Sequence, residues 1–167
     1  MVPARRNVVM QAQAVAWPSP SALHHEFQEI QIGLDGMTEV PGMLGRTTHR
    51  LINLLETHFL RQEALVLPLL GLLAPLSRGA ISREMSAMVP VADRLRREMP
   101  RMLDELMAIA RAFDEVATLA RLAGRPELAR ITRQVQTYVL LREQVIYPAA
   151  LMAGEAVRRH LEGEPGG

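Results

Sequence analysis

The chain has 167 residues, with 19 basic and 18 acidic side chains that give a formal net charge of +1 at pH 7. This balance leaves no concentrated basic face, so we expect no nucleic-acid partner. Cysteine is absent, which excludes disulfides, thiolate metal sites and cysteine nucleophiles. A chain of this length can bury a core that is large enough for one domain without crosslinks.

The pattern of apolar residues predicts an all-α protein. Aromatic residues make up 4% of the chain, and no segment sustains the apolar–polar alternation that is typical of strands. Apolar residues instead recur at helical spacing in four long segments, which are separated by Pro and Gly. These segments run from about Ser21 to Met37, from Met43 to Leu73, from Ser82 to Leu122 and from Pro126 to His160.

Local signals indicate where these helices begin and bend. Ser19 or Ser21 is expected to cap the first helix and Ser82 the third, and Pro126 fits the first turn of the fourth. The prolines of the third segment that predict kinks are Pro90 and Pro100. Four long helices with short connections predict an antiparallel up-down four-helix bundle.

The bundle is predicted over residues 20–160, between an N-terminal extension (1–19) and a flexible tail (161–167). The N-terminal residues lack the apolar core of a signal peptide. The most apolar stretch, residues 64–76, is shorter than the roughly 20 residues of a membrane span. We therefore expect a cytoplasmic protein without a membrane span, with Trp17 docked on the bundle rather than exposed.

Two segments that lie 80 residues apart resemble each other. His58 to Pro68 matches Tyr138 to Pro148 in the order of apolar residues, Glu and Pro. In the same way, Phe27 and Ile30 of the first helix correspond to Met99 and Met102 of the third. This repeat predicts two pseudo-repeated helical hairpins, with four residues at comparable interior positions: His58, Tyr138, Phe27 and Met99.

Three of these segments resemble motifs of the hemerythrin-like (HHE cation-binding) family. The segment THFLRQEALVLP from Thr57 to Pro68 has the His, the acidic residue a turn later and the apolar run ending in Pro that mark the second helix of that family. LREQVIYP, from Leu141 to Pro148, resembles its fourth-helix motif, and LHHEFQEI, from Leu23 to Ile30, its first. The resemblance covers roughly residues 21–155 and implies the same bundle.

In that family, histidines from all four helices and two bridging carboxylates hold two iron ions. When the family's seven ligand positions are transferred to this sequence one by one, two of them hold a residue of the expected type, His58 and Glu143. The vacated ligand positions hold Phe27, Gln62, Met99, Tyr138 and Arg142. Glu143 follows Tyr138 by five residues, which in a regular helix is about 140° around the axis. It would need a local bulge, for which Pro148 is one cause because it cannot donate to the Gln144 carbonyl.

These replacements favour a non-enzymatic bundle without a metal, which acts as an interaction or small-ligand-sensing domain. Phe27 and Met99 are then core residues that fill the vacated pocket. His58 is then a neutral core histidine with Tyr138 as its hydrogen-bond partner. Arg142 is either a replacement for the missing metal charge, paired with Glu143 or Gln62, or an exposed surface residue.

Two alternatives remain open. The first is a remodelled mono- or dinuclear iron site that handles oxygen, nitric oxide or peroxide, as the resemblance implies. Its ligands would be His58, Tyr138, Glu143, Glu63 and His24, of which the last three are otherwise expected at polar or solvated positions. The second alternative is a homo-oligomer formed through the Met- and Arg-rich face of the third helix.

Overall fold

A computed structural model describes residues 17–18, 20–125 and 128–163. Every regular element in these ranges is helical, which confirms the all-α prediction. The helices are α1 (Ser21–Thr38), α2 (Met43–Leu65), α3 (Leu67–Leu70), α4 (Leu73–Ser77), α5 (Val89–Leu122), α6 (Leu128–Leu141) and α7 (Tyr147–Gly163). A 3₁₀-helix, Arg83–Met88, precedes α5, and a π-helical turn, Arg142–Ile146, joins α6 to α7.

The core is formed by apolar stripes of the long helices. In α1 the buried residues Leu23, Phe27, Ile30 and Leu34 recur every three or four positions, as predicted. Helix α1 packs against α2 and α6, whereas α5 contacts α2, α6 and α7. The inward faces of these helices therefore meet in one apolar core, in which the polar residues of the candidate site are embedded.

The second helix is interrupted where the sequence predicts a continuous helix to Leu73. Helix α2 ends at Leu65, and α3 and α4 follow as short separate turns. Pro68 has no N–H to donate to the Ala64 carbonyl, which explains the break. The half-buried Trp17 packs against the core, and its backbone lies so close to Gly71 that a Cβ there would stand 2.7 Å from the Trp17 carbonyl oxygen. The predicted docking of Trp17 is confirmed.

The predicted helix starts are only partly confirmed. Ser21 is the first residue of α1, and no side-chain hydrogen bond caps that helix. Ser82 precedes the 3₁₀-helix, again without a capping hydrogen bond. Pro90 lies in the first turn of α5 and Pro100 inside it. Ser19, Pro126, residues 1–16 of the predicted extension and residues 164–167 of the predicted tail lie outside the described residues.

No single helix in the described part of the chain has the length and apolar character of a membrane span. Two consecutive segments, Met43–Leu65 and Leu67–Ser77, reach the length and apolar composition of a span only when they are counted together, and the chain bends by 45° between them.

Candidate functional site

The π-helical turn brings three polar side chains onto one inward face. Tyr138 and Arg142 are four residues apart and share a face of a regular helix, whereas Tyr147, five residues after Arg142, would be rotated away by about 140°. The wider turn at Arg142–Ile146 takes up the extra residue. Tyr138, Arg142 and Tyr147 are each at most 1% exposed. Pro148 follows this turn and cannot donate to the Gln144 carbonyl, which favours the irregular hydrogen bonding.

His58, on α2, is the centre of a buried hydrogen-bonded chain. Its Nδ1 lies 2.9 Å from Glu105 Oε2, and its Nε2 lies 2.6 Å from the Tyr147 hydroxyl. Burial lowers the pKa of His58, against the opposing effect of Glu105, so the ring is neutral at pH 7. Burial also raises the pKa of Tyr147, so its phenol stays protonated. Tyr147 therefore donates to Nε2, and the Nδ1–H donates to the carboxylate of Glu105.

This arrangement corrects the partner expected for His58. The internal repeat predicts Tyr138 as the hydrogen-bond partner of His58. The hydroxyl of Tyr138 instead lies 2.9 Å from Gln62 Nε2 and accepts its hydrogen bond. The physical reason is the π-helical turn, since it rotates Tyr147 towards α2.

Glu105 connects this chain to the protein surface. Its side chain is 20% exposed and pairs with Arg61 and Arg101. Arg61 also pairs with Glu98 at 2.6 Å. The carboxylate that orients His58 is thus itself held by two guanidinium groups, those of Arg61 and Arg101.

Arg142 forms the second part of the site. Its Nε donates to Gln62 Oε1 at 3.2 Å, and its Nη1 donates to Glu26 Oε2 at 2.9 Å and to the Tyr138 carbonyl at 3.3 Å. The guanidinium carbon lies 3.3 Å from the centre of the Tyr138 ring, a cation–π contact. Of the two predicted alternatives, the exposed one is wrong, because Arg142 is 0% exposed. Gln62 is one of its partners, as predicted, while Glu26 takes the place expected for Glu143.

The residues predicted as iron ligands do not all meet in the interior. His58 and Tyr138 are buried. His24 lies 3.4 Å from Glu63, and both side chains are more than a third exposed. Glu143 is exposed and lines a mostly apolar surface groove between α5 and α6. In the described ranges, no three or more His, Asp or Glu side chains are grouped so that they could hold a metal ion.

Phe27 and Met99 occupy the positions expected of core residues. Phe27 is 6% exposed and stacks on Phe59 with 4.0 Å between the ring centres. Met99 is half-buried and packs against the same core. The predicted core position is confirmed for Phe27, whereas Met99 lies at the edge of the core.

Three residues of the site were not predicted from the sequence: Tyr147, Glu105 and Glu26. Tyr147 and Tyr138 are the two tyrosines of the chain, and a polar aromatic residue directly before Pro148 was the available signal. Glu105 lies four residues after Arg101, a spacing that reads as an exposed helical ion pair. Glu26 lies next to Phe27 within the first-helix motif, and no sequence spacing distinguishes it from the other acidic residues of that helix.

Comparison with known protein families, with curated proteins and with solved structures finds no match for this chain.

Proposed function

We propose that this chain is a hemerythrin-like antiparallel four-helix bundle of two pseudo-repeated hairpins, in which a buried hydrogen-bonded network takes the place of a di-iron centre. It acts as a non-enzymatic interaction or small-ligand-sensing domain. One support is the repeat itself, since Gln62 and Arg142 are equivalent positions 80 residues apart and are hydrogen-bonded to each other.

A second support comes from the backbone. The break between α2 and α3 falls at Val66, four residues after Gln62, and the π-helical turn covers residues 142–146. In the repeat, residues 62–66 correspond to residues 142–146. Each irregular turn precedes a proline, Pro68 or Pro148. Two hairpins that share an ancestral pattern would deviate from regular geometry at the same place.

The observation that carries the proposal of a metal-free centre is the buried guanidinium of Arg142. It lies at a position where the family resemblance implies a bridging carboxylate. A fixed positive charge there would repel a metal cation, and the interior has little water to screen the repulsion. The carboxylate of Glu26 already compensates this charge at 2.9 Å.

The alternative with a remodelled iron site requires its five ligands to converge. Glu143 is exposed, and His24 with Glu63 forms a partly exposed pair. Both ring nitrogens of His58 have partners. These contacts favour the metal-free proposal over oxygen, nitric oxide or peroxide chemistry.

The test is the iron, manganese and zinc content and the absorption spectrum of untagged protein, purified without chelators from iron-supplemented cells. We expect far less than one metal per chain, no tyrosinate absorption, and the same values for a His58→Ala variant. A surface variant, His49→Ala, serves as the control. Near-stoichiometric iron that His58→Ala removes and His49→Ala retains would refute the proposal.

A further inference from the structure

Arg142 has hydrogen-bond donors that no described protein atom accepts. A guanidinium has five N–H groups in one plane. Gln62, Glu26 and the Tyr138 carbonyl accept from Nε and Nη1, while the buried Nη2 has no hydrogen-bond partner within the described ranges. Stacking on the Tyr138 ring occupies the face of the guanidinium and none of these in-plane donors.

The donors without a partner are those of Nη2, which lies beside the Nε–H. In arginine, Nη2 stands on the same side as the Nε–H, so these two groups form a fork that a planar oxyanion accepts with two parallel hydrogen bonds. One arm of the fork, Nε, is held only by the neutral amide oxygen of Gln62, at 3.2 Å. A buried charged donor without a partner is costly, and a ligand that satisfies it gains the corresponding free energy.

The surroundings limit the size and charge of such a ligand. Gln62 and Arg142 are 0% exposed, so a ligand at this edge would be enclosed by the core and must be small. The negative charge near Arg142 comes from Glu26, which contacts Nη1 on the other side and is itself 25% exposed. The residue that contacts the fork edge, Gln62, is uncharged, so it does not neutralise the guanidinium there as Glu26 does at Nη1.

We propose that the Nε–Nη2 edge of Arg142 binds a small planar oxyanion of the formate or nitrite class, which accepts from Nη2 and competes with the amide oxygen of Gln62 for the Nε–H. This inference deepens the small-ligand-sensing part of the proposed function and rests on it. The buried guanidinium is the receptor, the Tyr138 ring supports it from one face, and Glu26 sets the strength of binding by competing for the positive charge.

Two substitutions of nearly unchanged shape should alter binding in opposite directions. In Gln62→Glu, the new carboxylate occupies the fork, so binding of formate should be lost. In Glu26→Gln, the amide oxygen still accepts from Nη1 but the competing charge is removed, so binding should strengthen roughly tenfold. Gln28→Glu and Glu29→Gln make the same charge changes at exposed positions of α1 and are the matched controls.

The assay is a calorimetric titration of the purified chain with sodium formate, at an ionic strength held constant with sodium gluconate, whose anion is too large for an enclosed site. We expect saturation at one formate per chain, competition by sodium nitrite, loss in Gln62→Glu, strengthening in Glu26→Gln and unchanged binding in both controls. Absence of saturable binding would mean that a water molecule satisfies Nη2, and would overturn the proposal.

Binding that is equal in Gln62→Glu and in the original chain would place formate elsewhere and also overturn it. The metal analysis described above is made on the same preparation. A metal-free protein without formate binding refutes only the anion site, whereas a stoichiometric metal refutes the metal-free function.

Discussion

The hydrogen bond between Tyr147 and His58 provides a direct test of the buried chain. Tyr147→Phe removes one oxygen atom and keeps the ring, so the packing of this 1% exposed side chain is preserved. The hydroxyl lost is the one that lies 2.6 Å from His58 Nε2. That nitrogen, in a residue with 0% exposure, then remains as a buried acceptor without a donor.

A buried polar group left without its partner costs about 1–3 kcal/mol. We therefore expect Tyr147→Phe to lower the free energy of unfolding by that amount. For a chain of this size, each kcal/mol shifts Tm by about 2–4 °C, so Tm should fall by about 2–12 °C. In a His58→Leu background the hydroxyl of Tyr147 has already lost its acceptor, and its removal should be neutral or stabilising.

Urea unfolding followed by far-UV circular dichroism, on all four members of this double-mutant cycle, measures the coupling. We expect a coupling free energy of about 1–3 kcal/mol between Tyr147 and His58. If Tyr147→Phe costs the same in both backgrounds, the hydroxyl does not act through His58 and the proposed chain is wrong.

Two further predictions concern packing and pH. A Cβ at Gly154 would overlap that of Ala92, so Gly154→Ala should lower the free energy of unfolding by about 1–3 kcal/mol. Gly36→Ala, in a helix with open space around the new methyl group, should raise it by up to about 1 kcal/mol; equal urea midpoints for the two variants would contradict this. Burial lowers the pKa of His58 in the folded state, so the unfolded state binds the proton more readily, and stability is lost as pH falls below about 6.5 towards the folded pKa. His58→Gln should reduce this slope of unfolding free energy against pH, and an unchanged slope would show that His58 is not the titrating group.

Part of the candidate site was accessible from the sequence because it depends on local spacing and on internal repetition. The 80-residue offset aligned Gln62 with Arg142 and placed both at vacated ligand positions, and of the two partners then predicted for Arg142, Gln62 and Glu143, the structure contains Gln62. The position of Phe27 on the apolar stripe of α1 indicated its burial. Both inferences require only that a helix keeps its period and that equivalent residues face the same interior.

The partners of His58 were not accessible in this way. A periodicity argument assumes 3.6 residues per turn, and the π-helical turn at Arg142–Ile146 adds a residue that turns Tyr147 inward. The sequence contained a cause for irregularity in Pro148, but it did not indicate which side chains the irregular turn would bury.

The sequence by itself determined the helical class, the approximate extent of the helices and their apolar stripes, because these follow from local propensity and from the spacing of apolar residues. Only the tertiary structure decided that Glu105 orients His58 and that Glu26 compensates Arg142. These contacts join helices that are distant in sequence, so the choice among acidic residues depends on how the helices pack and on which carboxylate lies within reach of a buried cation or imidazole.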